Sequence, residues 1–421
     1  MILSAFRVKS FRFQMPADLL TSWAFEMETL VLGWYVLVST GSVLLLTTFA
    51  SLQYVGSLAS PVFGVLGDRL GGRFMLCAMR ATYATFAAIL MTLAFAGALT
   101  PTRVFVLASL SGIVRTNDLV MRNWLIGETI PAPQLMGAVG MSRAAMDLAR
   151  VTGALAGAGL STLLGIGPAY AAVTLFYLAG LALTFGVRRT LPEPDPATRA
   201  SSGSLDVGSR WRELIEGVRH VRHTPELVAV MWLAFLVNLT AYPASNGLLP
   251  YAARSVFKVD ATGLAWLVAS FSLGSLLSSL AIVLTGGSRH PARSTLVYSV
   301  AWYILVLAFS HLRSLEAGLV TLLAAGFVQS VAMVSMTASL IATAGDRFRG
   351  RVLGVRMLAV YGLPLGLMIA GALIERIGYP MTLSAFATAG LIFTLVIGIT
   401  WRASLWQRQP AAGALSDPQR V

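Results

Sequence analysis

Charged residues are scarce in this sequence. Asp, Glu, Lys and Arg make up 12% of its 421 residues, whereas about 25% is typical of soluble domains. Hydrophobic residues make up 56%. A chain of this length with so few charges cannot cover a surface exposed to water, which excludes a soluble globular protein. We expect the lipid bilayer to be its main solvent.

Cysteine and histidine are also rare. The few that occur are Cys77, His220, His223, His290 and His311. They cannot form a disulfide framework or a Cys/His metal cluster. The sequence also has no Gly-x-x-x-x-Gly-Lys-Ser/Thr loop for ATP phosphates and no acid–base–nucleophile set. We therefore expect no metal, no cofactor, no direct coupling to ATP and no enzymatic activity.

Lysine is nearly absent, although the formal net charge is +13. All but two of the 31 basic residues are arginine, and they are scattered between apolar runs. This distribution is typical of residues that orient a protein in a membrane, and not of a phosphate-binding face. We expect no nucleic-acid partner.

Long apolar runs, in contrast, are abundant. A membrane-spanning helix needs about 20 mostly apolar residues, and twelve such runs occur. They lie near 16–38, 43–67, 74–98, 102–127, 135–163, 167–187, 226–251, 260–286, 293–312, 315–344, 352–374 and 379–401. The predicted fold class is an all-α membrane protein with two six-helix bundles, residues 1–187 and 226–401.

Two further segments complete the predicted organisation, a linker of residues 188–225 and a tail of residues 402–421. The linker ends in a stretch whose apolar residues recur at helical spacing. They are Trp211, Leu214, Ile215, Val218 and Val221. This periodicity predicts an amphipathic helix at the membrane surface.

The basic residues predict the orientation of the chain. If both termini are cytoplasmic, twenty-two of the 31 basic residues lie in cytoplasmic segments, five lie on the opposite side and four lie inside helices. Cytoplasmic loops of membrane proteins carry the excess of Lys and Arg. We therefore expect both termini to be cytoplasmic.

A charged turn separates the second and third runs, with the sequence Gly64-Val-Leu-Gly-Asp-Arg-Leu-Gly-Gly-Arg73. It resembles the Gly-x-Leu-x-Asp-Arg-x-Gly-x-Arg loop of the major facilitator superfamily. The matching positions are Gly64, Asp68, Arg69, Gly71 and Arg73. Gly72 departs from the pattern, because the family often has a second basic residue there.

The two halves echo each other. Gly165-Ile-Gly-Pro-Ala-Tyr, which opens the sixth helix, resembles Arg376-Ile-Gly-Tyr-Pro, which opens the twelfth. The pair Gly153 and Gly157 parallels the pair Gly366 and Gly371. The resemblance implies two six-helix bundles related by an internal repeat.

Shorter motifs at 216–225, 249–253 and 349–354 resemble one branch of the superfamily, which contains the enterobactin exporter and related macrolide and drug efflux pumps. The resemblance implies a monomeric secondary active transporter of the bacterial inner membrane. Its expected activity is proton-driven export of an amphipathic small molecule, drug-like or siderophore-like. It also implies that Asp68 meets Arg349, Gly350 and Arg351 at the start of the eleventh helix, where the helix dipole favours a negative charge. This contact would latch the cytoplasmic side.

Charges inside the predicted spans are candidates for the transport site. The fourth run contains Arg115, Asp118 and Arg122, and the fifth contains Arg143, Asp147 and Arg150. Each trio lies on one helical face. Six charges facing lipid would cost on the order of 15–20 kcal/mol, so they must face protein or water.

The two trios are expected to form cross-helix pairs, Asp118–Arg143 and Arg115–Asp147. One interpretation is a static clamp between the helices. In the other, Arg122 or Arg150 binds an anionic substrate or tunes a carboxylate for proton exchange.

Glu26 and Glu28 lie near the middle of the first run. Two residues apart on a helix, they point to different faces and cannot form a carboxylate dyad. Glu26 shares a face with Ser22, Thr29 and Gly33, a polar strip that suits a cavity wall. Glu26 is therefore either a proton carrier or a partner in an interhelical hydrogen bond.

The second half has almost no charge inside its predicted spans. Its main polar groups are Asn238, Tyr242, Asn246 and Gln329, and Pro243 interrupts the seventh run. A charged wall facing an apolar wall suits an amphipathic substrate. The alternatives are uptake or lipid transport on the same fold, and a membrane receptor or assembly partner that transports nothing.

Overall fold

The computed structural model describes residues 6–54, 56, 70–188, 207–285, 288 and 290–406, without the side chains of 132–137, 139–140, 207–214, 346–347 and 349–350. Every regular element in these ranges is a helix. The first half contains α1 (Lys9–Thr40), α2 (Val43–Leu52), α3 (Gly72–Phe95), α4 (Pro101–Arg115), α5 (Asp118–Thr129), α6 (Ala132–Leu163) and α7 (Ile166–Thr184).

The stretch where a linker helix is predicted forms α8 (Val207–His223). The helices of the second half are α9 (Pro225–Thr240), α10 (Ala261–Thr285), α11 (Pro291–His311), α12 (Leu315–Ala359), α13 (Gly362–Ile377) and α14 (Tyr379–Thr400), and α15 (Arg402–Trp406) follows in the predicted tail. Between α9 and α10 the chain passes through two short helical turns and a π-helical turn, Ala252–Val256.

Eight of the described helical segments are long and apolar enough to cross a membrane. They are Gly72–Phe95, Pro101–Thr129, Ile166–Thr184, Ala261–Thr285, Pro291–His311, Leu315–Gly345, Arg351–Ile377 and Tyr379–Thr400. A ninth is added if Ile215–His223 and Pro225–Thr240, which meet at 112°, form one span. The chain is a multi-pass membrane protein. Helices α1 and α6 fall outside this set because they carry several ionisable residues. Most of the second predicted run, 43–67, lies outside the described residues, so the count of twelve stays a prediction.

Several predicted spans are interrupted. The fourth breaks at Thr116 and Asn117, between α4 and α5. The seventh ends at Thr240, just before Pro243, which has no N–H with which to continue the helix. Within α12, Gly345 has a φ of 68°, a left-handed conformation that glycine adopts without strain, and the helix is broken there.

Each half contains a similar close helix contact that is made by two glycines. A pair of glycines four residues apart joins α6 to α1, and another such pair joins α13 to α9. The contacts are Gly153 on Trp23, Gly157 on Met27, Gly362 on Phe235 and Gly366 on Leu239. The predicted counterpart, Gly366 with Gly371, is therefore displaced by about one turn, because Gly371 contacts Thr47 of α2 in the other half.

The halves meet along two helix pairs, α2 with α13 and α6 with α10. Hydrogen bonds between the halves occur near the connection of α1 to α2, which we call the α1–α2 end. There Arg254 donates to the carbonyl of Leu37 at 2.6 Å, and the Ser42 hydroxyl donates to Glu375 at 3.0 Å. The described helices are therefore in contact across the halves at this end.

Candidate substrate cavity

A cavity of about 330 Å³ lies between the two halves. Its polar lining consists of Glu26, Thr29, Gln53, Tyr54, Arg115, Thr116 and Arg150 from the first half, and Ser245, Asn246 and Ser272 from the second. Its apolar lining consists of Leu30, Leu46, Phe49, Leu249, Leu264, Val268 and Phe271, with Ala50 and Pro250. The charged lining residues all belong to the first half.

Glu26 and Arg150 form an ion pair on the cavity wall. Arg150 Nε lies 3.4 Å from Glu26 Oε1, and the two side chains are 37% and 24% exposed. Gly153 follows Arg150 by one turn and lets the α6 backbone contact α1. This close contact brings Arg150 within reach of Glu26, and both side chains remain accessible from the cavity.

Arg115, the last residue of α4, also faces the cavity. Its guanidinium donates to Gln53 Oε1 at 3.0 Å, to Thr29 Oγ1 at 2.8 Å and to the Phe25 carbonyl at 3.2 Å. It also stacks over the Phe25 ring, 4.4 Å from the centroid. Among the residues that the structure describes, no carboxylate lies within ion-pair distance of Arg115.

Glu28 faces the core of the first half instead of the cavity. Its side chain accepts a hydrogen bond from the Tyr177 hydroxyl at 2.8 Å and is buried between α1 and α7. Glu26 and Glu28 thus point to different faces of α1, as their spacing predicts.

Four charged residues form a second, fully buried cluster in the first half. Asp18 of α1 is bound by Arg80 of α3 and lies 3.7 Å from Arg122 of α5, which also pairs with Asp118. Arg122 donates to the Ser22 hydroxyl at 2.7 Å. Two carboxylates and two guanidinium groups balance here, so the cluster suits a clamp between helices.

The predicted pairs Asp118–Arg143 and Arg115–Asp147 are wrong. Asp118 pairs with Arg122, and Arg143 lies 3.6 Å from Asp147 on the same helix. Each carboxylate pairs with an arginine four residues away on its own helix, where side chains are neighbours, although both trios line one pocket. Arg143, with a side chain 59% exposed, and the almost buried Asp147 line a smaller pocket of about 170 Å³ that shares residues with the cavity.

Of the polar residues predicted in the second half, some line the cavity and others bond within the protein. Asn246 lines the cavity, and Gln329 donates to the Tyr242 hydroxyl. Asn238 donates to its own helix, at the Ala234 carbonyl. Arg356 of α12, expected in a cytoplasmic segment, is half-buried and donates to Thr337 Oγ1 at 2.7 Å. The second half therefore has a cation inside a candidate span.

Comparison with known protein families shows the family to which this chain belongs. Residues 17–260, more than half of the chain, match the sequence profile of the Major Facilitator Superfamily. The chain belongs to this superfamily. No curated protein matches it.

Solved structures share the superfamily fold. A POT family transporter in complex with 5-aminolevulinic acid superposes with a TM-score of 0.70 at 12% identity, over 95% of this chain and 97% of that chain. The peptide transporter POT in complex with sulfate gives 0.69 at 10%, over 94% and 95%. The nucleoside transporter NupG gives 0.64 at 14%, over 94% and 99%. Family and fold are those of transporters.

Most of the loop motif that resembles the superfamily lies outside the described residues, including Gly64, Asp68 and Arg69. Gly71 has a φ of 82° immediately before α3. Arg73 donates to the Phe185 carbonyl at 2.7 Å, which ties α3 to the end of α7.

The opposite side of the predicted latch is described in part. The backbone of Arg349 and Gly350 belongs to α12, and their side chains lie outside the description. Arg351 pairs with Glu216 of α8 at 2.7 Å and lies over the Phe348 ring. The observed partner of Arg351 is thus the linker helix, and its contact with Asp68 stays a prediction.

Sequence reasoning missed Asp18 and Arg80 and misplaced Arg356. Asp18 lies one and two helical turns before Ser22 and Glu26, so the same polar strip could have revealed it. Arg80 and Arg356 are among the twenty-two basic residues predicted to lie in cytoplasmic segments, whereas both lie inside helices. When both are counted as lying inside helices, the predicted cytoplasmic segments still carry the excess of basic residues. Among the described residues, no group of His, Cys, Asp and Glu could hold a metal ion.

Proposed function

We propose that this superfamily member is a secondary active transporter that exports an amphipathic small molecule, driven by proton entry. The cavity between the halves carries the proposal. It combines an ion pair and a further arginine on one wall with apolar and neutral polar groups on the other. Such a lining suits a molecule with an apolar body and a polar head.

The proposed arrangement in the membrane has twelve spanning helices, six in residues 1–187 and six in 226–401. The linker 188–225 and the tail 402–421 lie in the cytoplasm with both termini, and the host membrane is a bacterial inner membrane. In this orientation the α1–α2 end faces outwards. The active unit is a monomer.

The contacts at the α1–α2 end support transport by alternating access. The halves touch there through Arg254 and Leu37 and through Ser42 and Glu375, and these contacts must break for the cavity to open outwards. Rigid halves that rock around a central site accomplish this. Asp68 and the segment from Arg349 to Arg351 would then close the cytoplasmic side. Asp68→Asn should impair transport and leave membrane insertion intact.

Glu26 is the proposed proton carrier. It lies on the cavity wall, and its partner Arg150 holds it by one ion pair of 3.4 Å. A proton on Glu26 would break its ion pair with Arg150. Proton binding would then loosen the contact between α1, which carries Glu26, and α6, which carries Arg150. The buried cluster around Asp18 and Arg80 is instead a static clamp.

Uptake is the second candidate, and the same ion pair favours it. If protonation of Glu26 releases Arg150 for an anionic group, a proton and that group bind together, and each strengthens the binding of the other. The two would then cross the membrane in the same direction.

The test is accumulation in a bacterial host that lacks its own efflux pumps. Fluorescent amphiphiles and labelled siderophores are measured with and without a protonophore, and Asp68→Asn serves as the impaired control. Lower accumulation that the protonophore abolishes supports export. Higher accumulation contradicts export and selects uptake. No change for any compound contradicts small-molecule transport and leaves lipid transport and a receptor role.

A further inference from the structure

Arg115 lines the cavity and also a smaller pocket that shares residues with it. It lines the cavity together with Glu26 and Arg150, and it lines the smaller pocket together with Glu28. The same side chain therefore borders the accessible cavity and a pocket that is lined by the buried carboxylate of Glu28. No other arginine of the described residues lines both spaces.

The charge of Arg115 is not neutralised at the cavity surface. Three of its five N–H donors bind neutral oxygen acceptors, on Gln53, Thr29 and Phe25. The neighbouring cation differs, because Arg150 already pairs with Glu26. The cavity thus presents one guanidinium without a carboxylate partner among the described residues.

Glu28 is a buried negative group whose charge interacts with that of Arg115. Its hydrogen-bond partner among the described residues is Tyr177. The other titratable groups whose charges interact with Glu28 are Tyr170 and Arg115. Glu26 lies two positions away on α1. Glu28 does not lie within ion-pair distance of Arg115, so it offsets the positive charge of Arg115 only through longer-range electrostatics.

We infer that the cavity binds an organic anion, whose single negative charge is held by Arg115 and whose apolar body lies against Phe49, Leu264, Val268 and Phe271. The inference rests on the proposed transport function and names the substrate class of that site. A planar guanidinium with free donors is suited to a carboxylate or sulfonate group. The inside-negative potential of a bacterial membrane also favours outward movement of an anion.

The test is equilibrium binding to the purified full-length protein with three ligands that share one ring system. They are 1-naphthalenesulfonate, which is an anion, 1-naphthalenesulfonamide, which is neutral, and protonated 1-naphthylmethylamine. We expect the sulfonate to bind about 10- to 100-fold more tightly than the sulfonamide, because a hydrogen bond to a charged group adds that much. The amine should bind most weakly.

Variants separate charge from folding. Arg115→Gln should remove the preference for sulfonate, and Arg115→Lys should retain part of it. Glu28→Gln should strengthen sulfonate binding, because it removes the buried negative charge that interacts with Arg115. Arg376→Gln is the matched control, because Arg376 is exposed at the end of α13, and it should leave all three affinities unchanged.

Equal binding of sulfonate and sulfonamide to the unaltered protein would overturn the inference. So would an Arg115→Gln protein that is folded by size-exclusion chromatography and keeps the preference, or no binding of any of the three ligands. Transport of neutral or cationic compounds alone would overturn the inference and leave the proposed function standing. Sulfonate binding without transport of any compound would support the inference and overturn the proposed function.

Discussion

Asp18 of α1 and Arg80 of α3 form an ion pair whose side chains are 4% and 0% exposed. Arg80 also donates to the Gly180 carbonyl of α7 at 3.3 Å and to the Thr184 hydroxyl. One buried guanidinium therefore connects three helices. The pair explains how α1, α3 and α7 hold a fixed arrangement behind the cavity.

Asp18→Asn should destabilise the protein by about 3–5 kcal/mol, because removal of one partner leaves Arg80 buried without its counter-charge. Thermal unfolding in detergent, followed by the loss of the monodisperse peak, measures the effect. Glu316→Gln is the control, since Glu316 is exposed and surface changes usually stay within about 0.5 kcal/mol. Equal stability of the two variants would show that the cluster is not a clamp.

Glu26→Gln should uncouple transport from protons and leave the fold intact. The amide keeps the size of the side chain but cannot exchange a proton, and the side chain is partly exposed in the cavity. In proteoliposomes we expect accumulation driven by a proton gradient to disappear, while exchange of labelled for unlabelled substrate continues. Unchanged gradient-driven accumulation would remove Glu26 as the carrier.

Gly371→Leu should disturb closure at the α1–α2 end. A Cβ on Gly371 would collide with the Thr47 side chain and would lie 3.3 Å from the Leu44 backbone. Overpacking of this kind costs about 1–3 kcal/mol, which should lower the population of the closed state and slow transport about ten-fold.

Gly159→Leu is the matched control, because nothing lies within 4 Å of a Cβ at Gly159. Transport rates of the two variants are compared at equal amounts of inserted protein. If both variants transport at the unaltered rate, close contact of α2 and α13 is not required for the cycle.

The orientation can be tested by thiol labelling in intact cells. In a Cys77→Ser background, Ser39→Cys near the α1–α2 end should react with a membrane-impermeant maleimide added outside. Ser288→Cys, between α10 and α11, should react only after the cells are opened. Both serines are exposed. The reverse pattern would place both termini outside and contradict the positive-inside prediction.

The charged residues that line the candidate cavity could be predicted from the sequence, and their role in transport stays a prediction. The charged residues that line the cavity and its two smaller pockets are the eight candidates read from α1 and from the fourth and fifth runs. Charge inside an apolar run is expensive in lipid, so such residues must face protein or water. This argument needs no knowledge of how the helices pack.

The pairing of those residues could not be predicted. It depends on the side-chain positions within α5 and α6 and on the close contact of Gly153 with α1. Neither feature alters the apolar pattern of the sequence. Arg80 was likewise missed, since its buried position depends on Asp18, 62 positions earlier. Local periodicity does not report contacts between distant segments.

The most direct test of the account is transport of 1-naphthalenesulfonate by proteoliposomes with an acidic lumen. Proton-driven export predicts that the anion accumulates in the lumen as protons leave. Arg376→Gln should match the unaltered protein, and Arg115→Gln should accumulate at least about ten-fold less. Accumulation only with an alkaline lumen would establish uptake instead. No accumulation with either gradient, or equal accumulation by Arg115→Gln, would contradict the assignment of this cavity as the transport site of an organic anion.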